Sequence, residues 1–310
     1  MLRNIPTNDM QAALAFVVTQ ATVIETAVNE IVYGDIQYPG LVPVDTSAAP
    51  FTQSVLYYSS DKYGKANWIN GNSDDIPMAG TELEMAKTPV YTAAIGYGFG
   101  WEEVNYAMLI GQNIQSADAA AARRAYEEMV DDVALRGDTR KGFSGLINYP
   151  TVPIIASSGV WTGLTPAQIV GDLNRLIFGV AQATNYTSMA NTLLLSPDRL
   201  SYIASTPVND NTMMTILQWF MTNNAYSQLS GAGPVTVQAL RGLETAGATS
   251  NQRAVAYRRS PDVLKFHLPM PHRFLPVFQD GPLHWVVPGV FRLGGLDVRK
   301  PTEMRYMDGI

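Results

Sequence analysis

Histidines and carboxylates are the residues with which this sequence could do chemistry, and the histidines are few. The chain has three of them, His267, His272 and His284, and no cysteine. The lack of cysteine excludes disulfides, thiol catalysis and cysteine-ligated zinc. His267 and His272 flank Leu268-Pro269-Met270-Pro271, which is not the His-Glu-x-x-His spacing of zinc hydrolases. A soluble hydrolase using His267, His272 and an acid stays open, although ordinary hydrogen-bonded histidines are the simpler interpretation, and His284 is expected half-buried in a strand.

Two further motifs match ligand sites only in part. Asn70-x-Asn72-x-Asp74 fits the first three positions of a calcium loop, but Asp75 and Thr81 stand where glycine and glutamate are needed. A polar hairpin tip explains this segment better. Gly96-x-Gly98-x-Gly100 lacks the spacing of a dinucleotide fingerprint, so close backbone packing at a strand-to-helix junction is the better interpretation. We therefore predict no catalytic residue, no cofactor and no metal site.

Composition favours association slightly over catalysis. Charged residues make up 15 % of the 310-residue chain and hydrophobic residues 46 %, whereas about 25 % charged residues is usual. The net charge of −6, without a long basic run, argues against a dedicated nucleic-acid reader. The apolar run over residues 12–18 is too short for a membrane span or a convincing signal peptide. We expect no membrane partner and a protein made in a cytoplasm.

The first half of the chain has an unusual order of predicted elements. Helical spacing covers residues 10–33, and residues 35–44, which we call the strap, contain two prolines and are predicted to be extended rather than helical. A long hairpin follows, with strands at residues 54–58 and 84–95 around a polar loop at 61–80. A helix is predicted over residues 118–136, with Gly137 as its C-cap, and it could be continuous from Trp101. Strap and hairpin have few local partners, so we expect them to rest on neighbouring copies.

The second half predicts a mixture of helices and strands, which makes the fold class α+β. Helices are predicted over residues 165–180, 196–204 and 212–221. Strands are predicted at 192–195, 235–240, 253–257, 266–268, 284–287, 289–293 and 297–299.

Several segments, in this order, carry a resemblance to a known family. They are Tyr33-x-Asp35-Ile36-Gln37-Tyr38-Pro39-x-Leu41-Val42-Pro43-Val44, Tyr57-Tyr58-Ser59-Ser60-Asp61-Lys62-x-Gly64-Lys65-Ala66, Asp74-Asp75-Ile76-Pro77, Ala121-Ala122-Arg123-Arg124-Ala125, Gly137-Asp138 with Gly145-Leu146-Ile147-Asn148, and Gly294-Gly295-Leu296-Asp297-Val298-Arg299-Lys300-Pro301 with Met304-Arg305-Tyr306. The set resembles the Hong-Kong-97-type major capsid proteins of tailed bacteriophages, whose fold is shared with encapsulins. In particular it is similar to a phage capsid family formerly catalogued as a domain of unknown function.

The resemblance implies a capsid fold in five parts. They are an N-terminal arm (1–45), an extended hairpin loop (46–91), a peripheral domain with a long spine helix (92–148), an axial domain (149–276) and return strands of the peripheral domain (277–310). The implied function is self-assembly into pentamers and hexamers of an icosahedral shell around phage double-stranded DNA, so the protein would be found in the virion and assembled in a bacterial cytoplasm. An encapsulin-like compartment shell is the alternative within this fold.

The function is then expected to depend on contacts that the arm and the hairpin of one subunit make with neighbouring subunits. We predict apolar anchors at Tyr38, Trp68, Ile69 and Ile76, because aromatic and apolar residues dominate such contacts. Charge pairing by Lys62, Lys65, Asp74 and Asp75 would set their register. The main partner is the chain itself. Portal, scaffolding or decoration proteins are further candidates, and packaged DNA would lie nearby without specific contacts.

Overall fold

The fold is mixed α+β, as predicted. The computed structural model describes residues 34–68, 76–103, 105, 114–209, 211–230 and 234–310. Ile36–Ile310 forms one compact unit. The helix predicted for residues 10–33 lies outside the described residues, and so do residue 104 and residues 106–113 between Trp101 and the helix beginning at Ile114.

Capping residues explain where three of the helices begin. Thr165 and Gln168 form a capping box at the start of α3, and the hydroxyl of Ser196 accepts a hydrogen bond from the Arg199 N–H at the start of α4. Thr215 caps α5, which therefore begins after the predicted start at residue 212. The α-helices are α1 (Tyr38–Leu41), α2 (Ile114–Leu135), α3 (Pro166–Ala183), α4 (Pro197–Ser205), α5 (Ile216–Asn223) and α6 (Ala225–Ser230).

The strands pair largely over long sequence distances. They are β1 (Val44–Asp45), β2 (Ser54–Tyr63), β3 (Gly80–Pro89), β4 (Tyr91–Ala94), β5 (Tyr97–Gly100), β6 (Gly137–Asp138), β7 (Phe143–Ser144), β8 (Ile154–Ala156), β9 (Thr192–Leu195), β10 (Thr236–Ala239), β11 (Arg253–Tyr257), β12 (Leu264–His267), β13 (Met270–Phe274), β14 (Phe278–Gln279), β15 (His284–Val287), β16 (Gly289–Leu293), β17 (Leu296–Val298) and β18 (Met304–Asp308). In the second half of the chain, the sequence predicted strands at β9, β10, β11, β12, β15, β16 and β17, but not β8, β13, β14 or β18.

A five-stranded sheet in the order β10-β9-β11-β18-β8 separates two apolar clusters. Alternate residues of each central strand enter opposite clusters. Leu194, Val255 and Tyr306 face one of them, whereas Leu193, Ala256 and Met307 face the other, which includes the apolar side of α3. The division of the chain into five parts at the boundaries given above stays a prediction.

The strap contains one helical turn, so the prediction that residues 35–44 are not helical is wrong for Tyr38–Leu41. Proline is tolerated in the first turn of a helix, where its missing N–H would have no partner anyway. The Asp131 carboxylate of α2 also stabilises this turn, because its Oδ1 accepts the N–H groups of Gln37 and Tyr38 at 2.9 and 2.8 Å. After the turn, β1 pairs in parallel with β12.

The predicted hairpin is present. Its first strand, β2, extends five residues beyond the predicted end at residue 58, whereas the returning strand begins four residues earlier than predicted and is divided at Val90 into β3 and β4. β2 and β3 pair antiparallel without interruption from Ser54–Pro89 to Tyr63–Gly80. Ten residues in each strand extend over about 33 Å at ~3.3 Å per residue. The unpaired loop is therefore shorter than the predicted 61–80.

The glycine alternation allows close packing between strands, as predicted. β5 pairs with β15 in the three-stranded sheet β14-β15-β5. A Cβ at Gly96 would lie 2.3 Å from the Val287 carbonyl oxygen, and one at Gly98 would lie 2.9 Å from His284 Nε2. Strand β4, which directly follows β3 of the hairpin, pairs with β16 in the three-stranded sheet β13-β16-β4.

Candidate intersubunit contact surface

The β2–β3 hairpin has two unlike faces. Side chains alternate along a strand, so the cross-strand pairs Tyr58–Met85 and Ser60–Leu83 lie on the same face as Leu56. On this side, which we call the outer face, Leu56, Tyr58, Leu83 and Met85 are 48, 69, 69 and 57 % exposed. Four large apolar side chains in water on one short hairpin are more than scattered surface residues would give.

The opposite face rests on the body at the base of the hairpin. Val55, Tyr57, Ala86 and Thr88 are half-buried there. The Arg299 guanidinium lies 5.0 Å from the centre of the Tyr57 ring, and burial, with the Asp297 carboxylate nearby, raises the pKa of Tyr57. The base of the hairpin is thus held by its own chain, while the outer face is left open.

The far end of the hairpin contains four of the eight predicted contact residues. Trp68 is fully exposed and Ile76 is 62 % exposed. Lys62 and Lys65 are exposed as well. Ile69, Asp74 and Asp75 lie outside the described residues, so the expected charge pairing stays a prediction.

Tyr38 faces the interior of its own subunit. It is 6 % exposed, its hydroxyl donates to Glu127 Oε2 at 3.1 Å, and its ring lies 6.0 Å from that of Phe266. Burial, reinforced by the Glu127 carboxylate, raises the pKa of Tyr38. The Leu41 carbonyl accepts the Tyr257 hydroxyl at 2.8 Å, which fixes the strap further. Tyr38 therefore attaches the strap to α2, and we no longer include it among the anchors between subunits.

Sequence reasoning missed two sets of exposed apolar residues. The outer face could have been found from the alternation of Leu83 and Met85 with Glu82 and Glu84, which is typical of a strand with one apolar side. A second patch surrounds β14 and β15, where the exposed side chains are Leu275, Val277, Phe278 and Leu283. Its residues lie between prolines, so the sequence offers no periodic signal there.

The three histidines do not form one site. His267 is buried beside Asp297, whereas His272 Nε2 donates to the Ile95 carbonyl at 3.1 Å and its ring stacks on Tyr126. His284 is exposed rather than half-buried. Among the described residues, no cluster of three or more histidines and acids is arranged to hold a metal ion. Within the same part of the chain, no helix has the length and hydrophobicity needed to cross a membrane.

The fold is that of Hong-Kong-97-type capsid structures. Solved structures that share it include the capsid of Myoviridae phage XM1, with a TM-score of 0.81 and 19 % identity over 94 % of this chain and 98 % of that chain. The capsid of an empty GTA particle matches with a TM-score of 0.61 and 9 % identity over 96 and 98 % of the two chains. A protein of Mycobacterium phage Ogopogo matches with a TM-score of 0.60 and 10 % identity over 94 and 98 %.

Sequence comparison gives the family. A family model described as "Major capsid protein" matches residues 64–310. The chain belongs to the major capsid protein family. Comparison with curated protein sequences found no match.

Proposed function

We propose that this chain is the repeating subunit of an icosahedral phage shell, that it assembles as pentamers and hexamers, and that the shell encloses double-stranded DNA. The family match over residues 64–310 and the likeness to phage capsid chains support this proposal. The observation that carries it is the outer face of the hairpin, whose four large apolar side chains are exposed although the base of the hairpin is anchored.

The proposed assembly depends on many modest contacts. Burying a large apolar side chain contributes at most about 1.5–3 kcal/mol, and part of this is offset by the ordering of the partners. In a closed symmetric shell each subunit makes several such contacts at once, which multiplies their effect. Trp68 and Ile76 at the far end, and the outer face along the strands, would contact a neighbouring copy. Lys62 and Lys65, with Asp74 and Asp75, would adjust the register.

The role proposed for the chain is structural. With a net charge of −6, contact with packaged DNA would be non-specific and weak. Portal, scaffolding and decoration proteins are the further proposed partners. The protein would be assembled in the cytoplasm of a bacterial host and be found in the virion.

Electron microscopy of the purified chain tests the proposal against a variant with a shortened hairpin. Replacing residues 61–82 by Asn-Gly would let Ser60 and Leu83 close a two-residue turn on an intact base. We expect closed shells from the wild type, and folded but unassembled subunits from the variant with an unchanged circular dichroism spectrum. Closed shells from the variant would show that the far end of the hairpin, with Trp68 and Ile76, is not needed for assembly, because the variant retains the outer face.

The contents of particles from infected cells test the second part of the proposal. Nuclease-protected double-stranded DNA is expected inside them. A protein cargo in place of DNA would replace the genome-enclosing role by that of a cellular compartment.

A further inference from the structure

A buried histidine lies between two carboxylates beneath the hairpin. His267 is 2 % exposed. Its Nε2 is 3.4 Å from Asp297 Oδ2, and its Nδ1 is 3.9 Å from Asp45 Oδ2. An imidazole has only two ring nitrogens, and here each one faces a carboxylate oxygen.

These three residues join three parts of the chain. Asp45 ends β1, directly after the strap, His267 ends β12, and Asp297 lies in β17; the three strands form one sheet in the order β1-β12-β17. Asp297 also pairs with Arg299 at 3.2 Å, and Arg299 lies over Tyr57 at the base of the hairpin. The end of the strap therefore contacts this cluster through Asp45, and the base of the hairpin contacts it through Arg299.

The two ring nitrogens of His267 lie at unequal distances from the two carboxylates. Neutral imidazole has one N–H, which can donate to one acceptor only. The contact of Nε2 with Asp297 has the length of a weak hydrogen bond, whereas Nδ1 and Asp45 are too far apart for one. In this state the lone pair of Nδ1 faces a carboxylate. A second proton would convert Nδ1 into a donor directed at Asp45, and a movement of about 1 Å would complete a charge-assisted hydrogen bond.

We propose that Asp45, His267 and Asp297 form a proton-operated latch: when His267 gains a proton it ties β1 to β17, and when it loses the proton the strap and the base of the hairpin are held less firmly. The latch is a property of the subunit. Only its use, to set how firmly the hairpin is held before or after assembly, rests on the proposed function.

The groups around His267 decide whether the proton is taken up. Asp45 and Asp297 favour it, whereas burial of the ring, Lys265 on its own strand and Arg299 on β17 oppose it. Lys265 and Arg299 are 24 and 27 % exposed and thus better screened by water than the Asp297 carboxylate, which is 4 % exposed. Tyr57 and Tyr149, the other titratable groups near Asp297, are kept neutral because burial raises the pKa of both phenols. Each of the two carboxylates also pairs with a cation, Asp45 with Lys265 and Asp297 with Arg299.

Hydrogen exchange at single amides of the full-length chain tests the latch. The Phe266 N–H donates to the Pro43 carbonyl and the Leu268 N–H to the Asp45 carbonyl, both at 2.9 Å, so their protection reports how firmly the strap and β1 are held. We expect protection of both amides to rise about tenfold between pH 7.5 and 5.5, the effect of roughly one charge-assisted hydrogen bond. The Leu240 N–H, which bonds Leu195 in the five-stranded sheet, is expected to keep its protection.

Two variants show whether His267 causes the rise in protection. His267→Gln removes the proton site and should abolish the rise, whereas His284→Gln, at an exposed position, should retain it. If His267→Gln does not fold, Asp45→Asn serves instead, because it keeps the imidazole and removes the negative charge that a protonated Nδ1 would face. No rise in the wild type, or an equal rise in His267→Gln or Asp45→Asn, would overturn the latch. Failure of the wild type to form shells while the rise persists would contradict the proposed function alone.

Discussion

At the scale of single residues, Asp131 stabilises a segment far from it in sequence. Its Oδ1 accepts two backbone N–H groups at the start of α1, from Gln37 and Tyr38. Asp131→Asn weakens both bonds, because an amide oxygen carries no charge, and we expect a loss of about 1 kcal/mol in the free energy of unfolding. Urea denaturation measures this loss. Asp132→Asn, which affects only an exposed pair with Arg136, should change it by less than ~0.5 kcal/mol; equal losses in the two variants would contradict the capping role.

Ser47 controls the titration of Asp45. The Ser47 hydroxyl donates to Asp45 Oδ1 at 2.6 Å, and this bond, followed by the Ser47 N–H and Lys265, lowers the pKa of Asp45 from 3.8 to about 2. A lowered carboxyl pKa adds stability that is complete above the unfolded value and is lost as the pH falls through the folded one. Ser47→Ala should therefore raise the pKa of Asp45 towards 3.8 and cost about 0.5–1 kcal/mol above pH 4, after solvent screening.

The carboxyl carbon of Asp45, followed by NMR from pH 5 to 1.5, measures this shift directly. Urea denaturation at pH 6 and at pH 2 should show the difference in stability shrinking in acid. Ser60→Ala, at an exposed position in the hairpin, is the control and should leave the midpoint of Asp45 unchanged. An unchanged midpoint in Ser47→Ala would show that Ser47 is not the cause.

At the scale of elements, substituting two glycines in the turn after α2 distinguishes the cost of backbone strain from the cost of steric overlap. Gly137 and Gly142 have φ values of +81° and +72°, which cost other residues about 1 kcal/mol. A Cβ at Gly137 would lie 2.3 Å from the Phe143 carbonyl oxygen, whereas one at Gly142 would meet nothing within 4 Å. We expect Gly142→Ala to cost about 1 kcal/mol and Gly137→Ala about 3 kcal/mol or more. Chemical denaturation measures both losses, and similar values would show that the turn after α2 relaxes freely.

Elements with local signals could be predicted from the sequence, and those that depend on distant partners could not. α3 and α4 carry their own caps, Thr165 and Ser196, next to prolines. By contrast, β18 is a strand because β11 and β8 lie on either side of it, and the Tyr306 hydroxyl donates to the Leu146 carbonyl 160 residues away. The α1 turn similarly depends on Asp131. Distant pairing of this kind leaves no periodic pattern in the segment itself.

The candidate contact surface likewise has residues whose position could be predicted from the sequence and residues whose position could not. Exposure of Trp68 and Ile76 followed from a polar loop at the end of a hairpin. The direction of Tyr38 did not follow from its own sequence, because Glu127 and Phe266, which hold it, lie elsewhere in the chain. An aromatic residue next to proline in an extended segment suits either an outward anchor or an inward one, and only the packing decides between them.

At the scale of the whole molecule, the fold tolerates nearly complete change of sequence. Identity to the XM1 capsid is 19 %, yet the TM-score is 0.81. The alternation that directs Leu193 and Leu194 to opposite sides of the central sheet needs apolar residues of suitable volume, not particular ones. The contacts that decide which copies assemble are therefore properties of this sequence, and they have to be tested on its own exposed residues.

The two faces of strand β3 provide a matched test of assembly. Leu83 and Met85 belong to the outer face, and Glu82 and Glu84 alternate with them on the same strand, all four being exposed. Exchanging Leu83 and Met85 for serine removes apolar surface that a neighbour would bury, which weakens the contact by roughly 1–2 kcal/mol per side chain. Exchanging Glu82 and Glu84 for serine removes no such surface. Neither exchange should lower the free energy of unfolding by more than ~0.5 kcal/mol, because exposed positions contribute little to the subunit's own stability.

Light scattering and sedimentation measure the lowest protein concentration at which shells form. We expect Leu83→Ser with Met85→Ser to raise it by at least about tenfold, since each 1.4 kcal/mol corresponds to a factor of about ten and every subunit carries the change. Glu82→Ser with Glu84→Ser should move it only a few-fold, because exposed charge pairs are weak and screened by salt. An equal effect of both exchanges would mean that the hairpin acts through its backbone or its charge, and the outer face would then lose its assigned role as the apolar contact between copies.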